Sequence, residues 1–99
     1  MLKIYGSLMC SDCTNCMKNF DHYGIAYEFM DCCASLRNLS IFLEMRDENP
    51  VFDRLKAIHD IGFPAIVKED GTVFTDWETY LKEQGKEIIT RDGAACSIQ

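Results

Sequence analysis

The sequence predicts an α/β domain in three layers, with a four-stranded mixed sheet between helices. Three observations carry this. Short β-branched and aromatic runs alternate with longer stretches of helical periodicity, in the order β-α-β-α-(α)-β-β-α. A helix separates the first two strands, and a right-handed crossover makes them parallel. Glu69-Asp70-Gly71 separates the last two as a hairpin turn, which makes them antiparallel.

Each element has its own signal. Leu2-Lys3-Ile4-Tyr5 reads as a short buried strand, followed by a loop over Gly6 to Met9. From Ser11, the residues Cys13, Met17, Phe20 and Tyr23 recur at helical spacing, and Gly24 is a natural stop. Ile25 to Met30 alternates, with Tyr27 and Phe29 on one side, as a strand does. Asp31 ends that strand, Cys32-Cys33 open the second helix, and Leu36, Leu39, Ile41, Phe42, Leu43 and Met45 are its apolar residues. Asn49 as cap with Pro50 at the first helical position predicts a further helix, its core face formed by Val51, Phe52, Leu55 and Ile58, with Gly62 as its stop. Pro64 leads the third strand to Val67, and Thr72 to Phe74 return. Thr75 and Glu78 fit a capping box for a last helix carrying Trp77, Tyr80 and Leu81 and stopping near Gly85.

The chain of 99 residues suits one domain over residues 1–85. Residues 86–99 form a tail, partly ordered, with Ile88 and Ile89 as its apolar anchors. One Trp, four Tyr and six Phe are enough for a packed core. A net charge of −6 without a basic stripe excludes nucleic acid as the expected partner. No apolar run approaches a membrane span, and the N-terminus lacks the pattern of a signal peptide. The expectation is therefore a cytoplasmic monomer, where six cysteines point to redox chemistry or metal rather than to a disulfide framework.

The motif with chemistry is Cys10-Ser11-Asp12-Cys13, five residues beyond Tyr5, with Cys16 repeating the spacing. Two thiols three residues apart can close a small disulfide ring and reopen it. The attacking species is a thiolate, and the unpaired N–H groups and macrodipole of a helix N-terminus favour an anion there. Cys10, just before the helix, is the candidate nucleophile, and Cys13 the resolving thiol. Asp12 is a like charge that opposes a thiolate.

Ile4-Tyr5-Gly6-Ser7-Leu8-Met9-Cys10-Ser11-Asp12-Cys13 and Gly62-Phe63-Pro64-Ala65-Ile66-Val67, with Gly71 to Phe74 and Asp76, resemble the glutaredoxin branch of the thioredoxin fold. The resemblance covers about residues 1–85. It implies a thioredoxin-like sandwich, a cis peptide before Pro64 facing the active site, and substrate contacts from Phe63, Pro64 and Asp76. It implies thiol–disulfide exchange on protein or small-molecule disulfides, with no tightly bound cofactor. Glutathione is then a co-substrate, or a flavoenzyme reductase supplies electrons. The sequence departs from the family at Ser11-Asp12, where Pro-Tyr is usual, in having no cation between Lys3 and Lys18, and at Phe74-Thr75, near the usual Gly-Gly.

Two other functions fit the same cysteines. One is a metal or iron–sulfur site of Cys10, Cys13, Cys16 and Cys32 or Cys33, although three ligands within a turn and a half of helix are cramped. The other is a non-catalytic redox sensor or adaptor on the same fold. Cys16 is either an additional redox thiol or a small core residue. Cys32 and Cys33 fit a strand–helix junction, and Cys96 lies in the tail. His22 and His59 read as surface residues near helix ends, and Trp77 as a packing residue able to line the groove near Pro64.

Overall fold

Alternation along the first strand sets the layers. In the computed structural model, which describes residues 1–89, β1 (Leu2–Gly6) sends Ile4 to one face of the sheet and Tyr5 to the other. The chain continues through α1 (Ser11–His22), β2 (Tyr27–Asp31) and α2 (Leu36–Glu48). A 3-10 turn (Pro50–Phe52) runs into α3 (Asp53–Ala57), and β3 (Ala65–Val67), β4 (Val73–Phe74) and α4 (Trp77–Glu83) follow. The sheet order is β2-β1-β3-β4, parallel between β1 and β2 and antiparallel elsewhere. This is the expected architecture. One core joins Ile4 and Ile66 to Cys16 and Phe20 of α1 and Trp77 and Leu81 of α4. The other joins Tyr5 and Ala65 to Phe42 of α2 and Phe52 of the turn, whose rings meet edge to face with centroids 5.9 Å apart.

Several local expectations are corrected. Cys32 and Cys33 do not open α2; they lie in a turn ahead of it. Asp31 Oδ1 accepts the Cys33 and Ala34 N–H groups at 2.9 and 3.2 Å, and Ser35 then caps the helix by accepting from Asn38 N–H. Of the apolar residues of α2 only Phe42 is fully buried, and Leu36 is 83% exposed, because one stripe of a helix reaches the sheet. Asn49 caps the next turn, with its side chain on Val51 N–H and Pro50 behind it, as expected. The helix nevertheless ends at Ala57 rather than running towards Gly62, and His59 adopts a left-handed φ of 62°. Phe52 takes the core position, leaving Val51 and Ile58 exposed. Gly62, at φ 103°, passes beneath the Phe52 ring, where a Cβ would lie 3.0 Å from it. The last helix is capped by Asp76, not Thr75. The Asp76 carboxylate accepts both the backbone N–H of Thr79 at 3.1 Å and its hydroxyl at 2.7 Å.

The start of the expected tail packs against α1. Asn19 is fully buried on α1 and holds Ile89 as a strand partner would. Its Oδ1 accepts Ile89 N–H at 2.6 Å, and its Nδ2 donates to the Ile89 carbonyl at 3.0 Å. The Tyr23 hydroxyl donates to the Glu87 carbonyl, and Ile88 packs on the core. The rest of the expected tail, with Cys96, lies outside the described residues.

Asn19→Ala removes both bonds that hold the strap of residues 86–89 on α1 and leaves the Ile89 N–H and carbonyl without them. Urea denaturation is expected to show a loss of about 1–3 kcal/mol, the usual result of leaving such groups unpaired. An unchanged midpoint would contradict the strap.

Candidate active site

The site grows from the end of β1. Beyond Gly6 the chain turns on Ser7, which is 4% exposed. The Ser7 hydroxyl accepts Met9 N–H at 3.0 Å and its carbonyl accepts Cys10 N–H at 3.1 Å. Cys10 thereby becomes the N-cap of α1, with extended φ and ψ of −95° and 117°. Its Sγ accepts the Cys13 N–H at 3.3 Å, so a sulfur fills the place of the usual cap oxygen. Cys10 is half-buried, whereas Cys13 is fully buried. The Cys13 sulfur rests against Gly6, where any Cβ would lie 2.6 Å from it. Burial pushes the Cys13 thiol far up, reinforced by its hydrogen bond with the Cys10 sulfur and by the charge of Asp12. A neutral thiol thus sits beside Cys10 as a hydrogen-bond partner.

The third strand completes the setting. The Phe63–Pro64 peptide is cis, in line with the resemblance. Ala65 pairs with Tyr5, so the antiparallel register brings Pro64 beside Gly6, at the root of the Cys10 loop. Phe63 and Asp76 share a cleft of about 160 Å³ with Asp12, Trp77, Arg54 and Asp60. The Trp77 indole N–H donates to Asp12 Oδ1 at 3.1 Å. Burial pushes the Asp12 carboxyl up and Asp60 and Asp76 add to this, against the lowering effect of the indole bond. The bonds from Thr79 hold Asp76 below the usual carboxylate range. The sequence singled out Cys10, Cys13, Phe63, Pro64 and Asp76; Cys10 and Cys13 meet at the start of α1, Pro64 lies beside Gly6, and Phe63 and Asp76 line the cleft with Asp12. It missed Ser7, a single serine in a loop with no pattern to mark it, and Arg54 and Asp60, which reach the cleft only through the early end of α3.

The other cysteines separate. Cys16 is fully buried in the core with Phe20 and Trp77, and burial pushes its thiol far up. Cys32 is buried on the opposite face, its thiol pushed up to about 11 by burial and then by Cys33 and Asp31. Cys33 is exposed, and its thiol donates to the Ser7 hydroxyl at 3.2 Å. Among the described residues no three His, Cys, Asp or Glu side chains converge as a metal site would require, and no helix is long and apolar enough to cross a membrane.

No protein-family model matches the chain. It is 33% identical over 67 residues to an uncharacterized protein of Haemophilus influenzae, covering 68% of this chain and 78% of the relative. The chain belongs to the family of that protein. Its backbone is similar to that of a glutathione S-transferase from Xanthobacter autotrophicus, with a TM-score of 0.53 and 20% sequence identity. The match covers 98% of this chain and spans 43% of the transferase. The likeness establishes the thioredoxin-like fold of this family member.

Two predictions follow from the burial of the thiols. Alkylation of the reduced, folded protein, followed by mass spectrometry, is expected to modify Cys10 and Cys33 first, and Cys13, Cys16 and Cys32 only on unfolding. Early modification of Cys13 would contradict the packing on Gly6. The raised Cys32 thiol also links stability to pH. The native state keeps a proton that the unfolded chain loses, so this contribution is complete below the ordinary thiol pKa of about 8.5. It is lost as pH rises through the folded value of about 11. Urea midpoints of reduced protein are expected to fall across that window, and less steeply in Cys32→Ala. Equal slopes would contradict the assignment.

Proposed function

We propose that the protein is a glutaredoxin-like thiol–disulfide oxidoreductase. The observation that carries the reading is the cap itself: Cys10 Sγ at the N-terminus of α1, bonded to Cys13 N–H, with the Cys13 side chain packed beneath it. In the forward reaction the Cys10 thiolate attacks one sulfur of a substrate disulfide. A Cys10–substrate mixed disulfide forms and the other half leaves as a thiolate. Cys13 gives up its proton and attacks Cys10 Sγ, which releases the second half and leaves a Cys10–Cys13 disulfide. Two electrons have then passed to the substrate. Glutathione or a flavoenzyme dithiol reverses the process and restores both thiols.

The surroundings support a protein disulfide as the substrate. Leu8 and Met9, 64% and 83% exposed, adjoin Cys10 and present apolar surface to a partner chain. Phe63 and Asp76 line a cleft with Asp12, the residue between the two cysteines, and a partner's backbone or a bound glutathione would lie there. A thioredoxin-like fold shared with a glutathione S-transferase makes glutathione the first thiol reductant to test.

Cys10→Ser is expected to reduce insulin disulfides and a mixed glutathione disulfide no faster than the uncatalysed reaction. Cys13→Ser is expected to accumulate a stable mixed disulfide on Cys10, visible by mass. Retained turnover in Cys10→Ser would remove the proposal.

A further inference from the structure

The Asp between the two cysteines is not simply a solvated charge. Its Oδ1 accepts the indole N–H of Trp77 at 3.1 Å, across 65 positions of sequence. Trp77 is itself 3% exposed, in the core with Ile4, Cys16, Phe20 and Leu81, so the indole cannot swing away. A carboxylate in the first turn of a helix would ordinarily gain from the N-terminal dipole and wave in solvent. Here it is held by a buried ring, on the residue just before Cys13. The groups that face it from neighbouring elements are mostly of the same sign. Asp76 caps α4, Glu78 lies in its first turn and Asp60 in the segment after α3, with Arg54 of α3 as the cation of that cleft. On its own helix it lies between Ser11 and Cys13, two residues beyond the Cys10 cap.

We propose that Trp77 is a positioning residue for the dithiol: it holds the Asp12 carboxylate where its charge opposes thiolate and so favours the disulfide state. The inference rests on the Cys10–Cys13 exchange proposed above. The physical reason is Coulombic. Reduction converts a neutral disulfide into a pair that carries negative charge whenever one thiol ionises. A fixed carboxylate in a partly desolvated site raises the free energy of that reduced state more than that of the neutral disulfide. The burial of Trp77 limits the relaxation that would weaken this effect. The chain is thereby biased to give electrons to partners rather than to oxidise them. Trp77 thus joins the tail end of the fold to the dithiol at its start.

The test is a redox titration of the full chain against reduced and oxidised dithiothreitol at pH 8. Two electrons and two protons pass from the reagent to the Cys10–Cys13 disulfide, and the reagent closes to its cyclic disulfide. Asp12→Asn keeps an acceptor oxygen for the indole and removes only the charge. It is expected to shift the exchange equilibrium towards the reduced protein by about tenfold, which is about 30 mV for a two-electron couple. Trp77→Phe keeps an aromatic core and frees the carboxylate, and is expected to shift it the same way by about threefold, roughly half of that potential change. The double variant is expected to match Asp12→Asn alone, because the indole acts only through the charge. An unmoved equilibrium in Asp12→Asn overturns the inference, as does strict additivity of the two changes. If Trp77→Phe fails to fold, NMR of the wild-type protein reads its single indole N–H: exchange with solvent as fast as that of a free indole overturns the role given to Trp77. If wild-type protein forms no Cys10–Cys13 disulfide at any reagent ratio, the proposed function falls instead.

Discussion

The Cys13 sulfur rests directly on the backbone of Gly6, and the site depends on that approach. A methyl group at Gly6 would stand 2.6 Å from Cys13 Sγ, so α1 could not lie as close to the end of β1. With the helix in place, the first turn presents Cys13 N–H to the sulfur of Cys10. The same packing buries Cys13 and keeps its thiol neutral, while leaving Cys10 at the surface of the helix end. In the function proposed, burial rather than residue type distinguishes the nucleophile from its resolving partner.

The sheet supplies the rest of the arrangement. Because β1 is central, bordered by β2 and β3, its C-terminal end is fixed from both sides. Pairing with β3 brings the Phe63–Pro64 segment to Gly6, and pairing with β2 brings the Cys32–Cys33 turn, whose Cys32 N–H donates to the Gly6 carbonyl at 2.9 Å. The loop carrying Cys10 is then held by Ser7. From the opposite end of the chain, α4 enters with Asp76 as its cap and Trp77 against Asp12. Four segments distant in sequence meet at one corner, as loops at the carboxyl end of a parallel strand pair commonly do.

The order of elements and the dithiol were legible because both rest on local patterns. Strand alternation at Ile4 and Tyr5, helical spacing from Cys13 to Tyr23 and the turn at Glu69-Asp70-Gly71 each express a single periodicity or turn type. What failed to show was decided by competition between neighbours or by tertiary contact. Asp76 displaced Thr75 as a cap because a carboxylate can take both bonds from Thr79. α3 stopped at Ala57 because the chain must turn under Phe52 before reaching Phe63. Asn19, placed within an apolar helix face, gives no sequence hint of a strap 70 positions away. The contact of Trp77 with Asp12 is likewise invisible until α1 and α4 are packed together. Cys16, which repeats the spacing of the dithiol, proved to belong to the core because one further turn of helix points it at the sheet.

The central claim is that Cys10 and Cys13 are one redox unit. A disulfide map of the protein by mass spectrometry, after mild oxidation and again after reduction, tests it most directly. The account predicts a single linkage between Cys10 and Cys13 that closes and reopens, with Cys16 and Cys32 remaining thiols. A linkage joining Cys10 or Cys13 to any other cysteine, or none at all under oxidation, would contradict it.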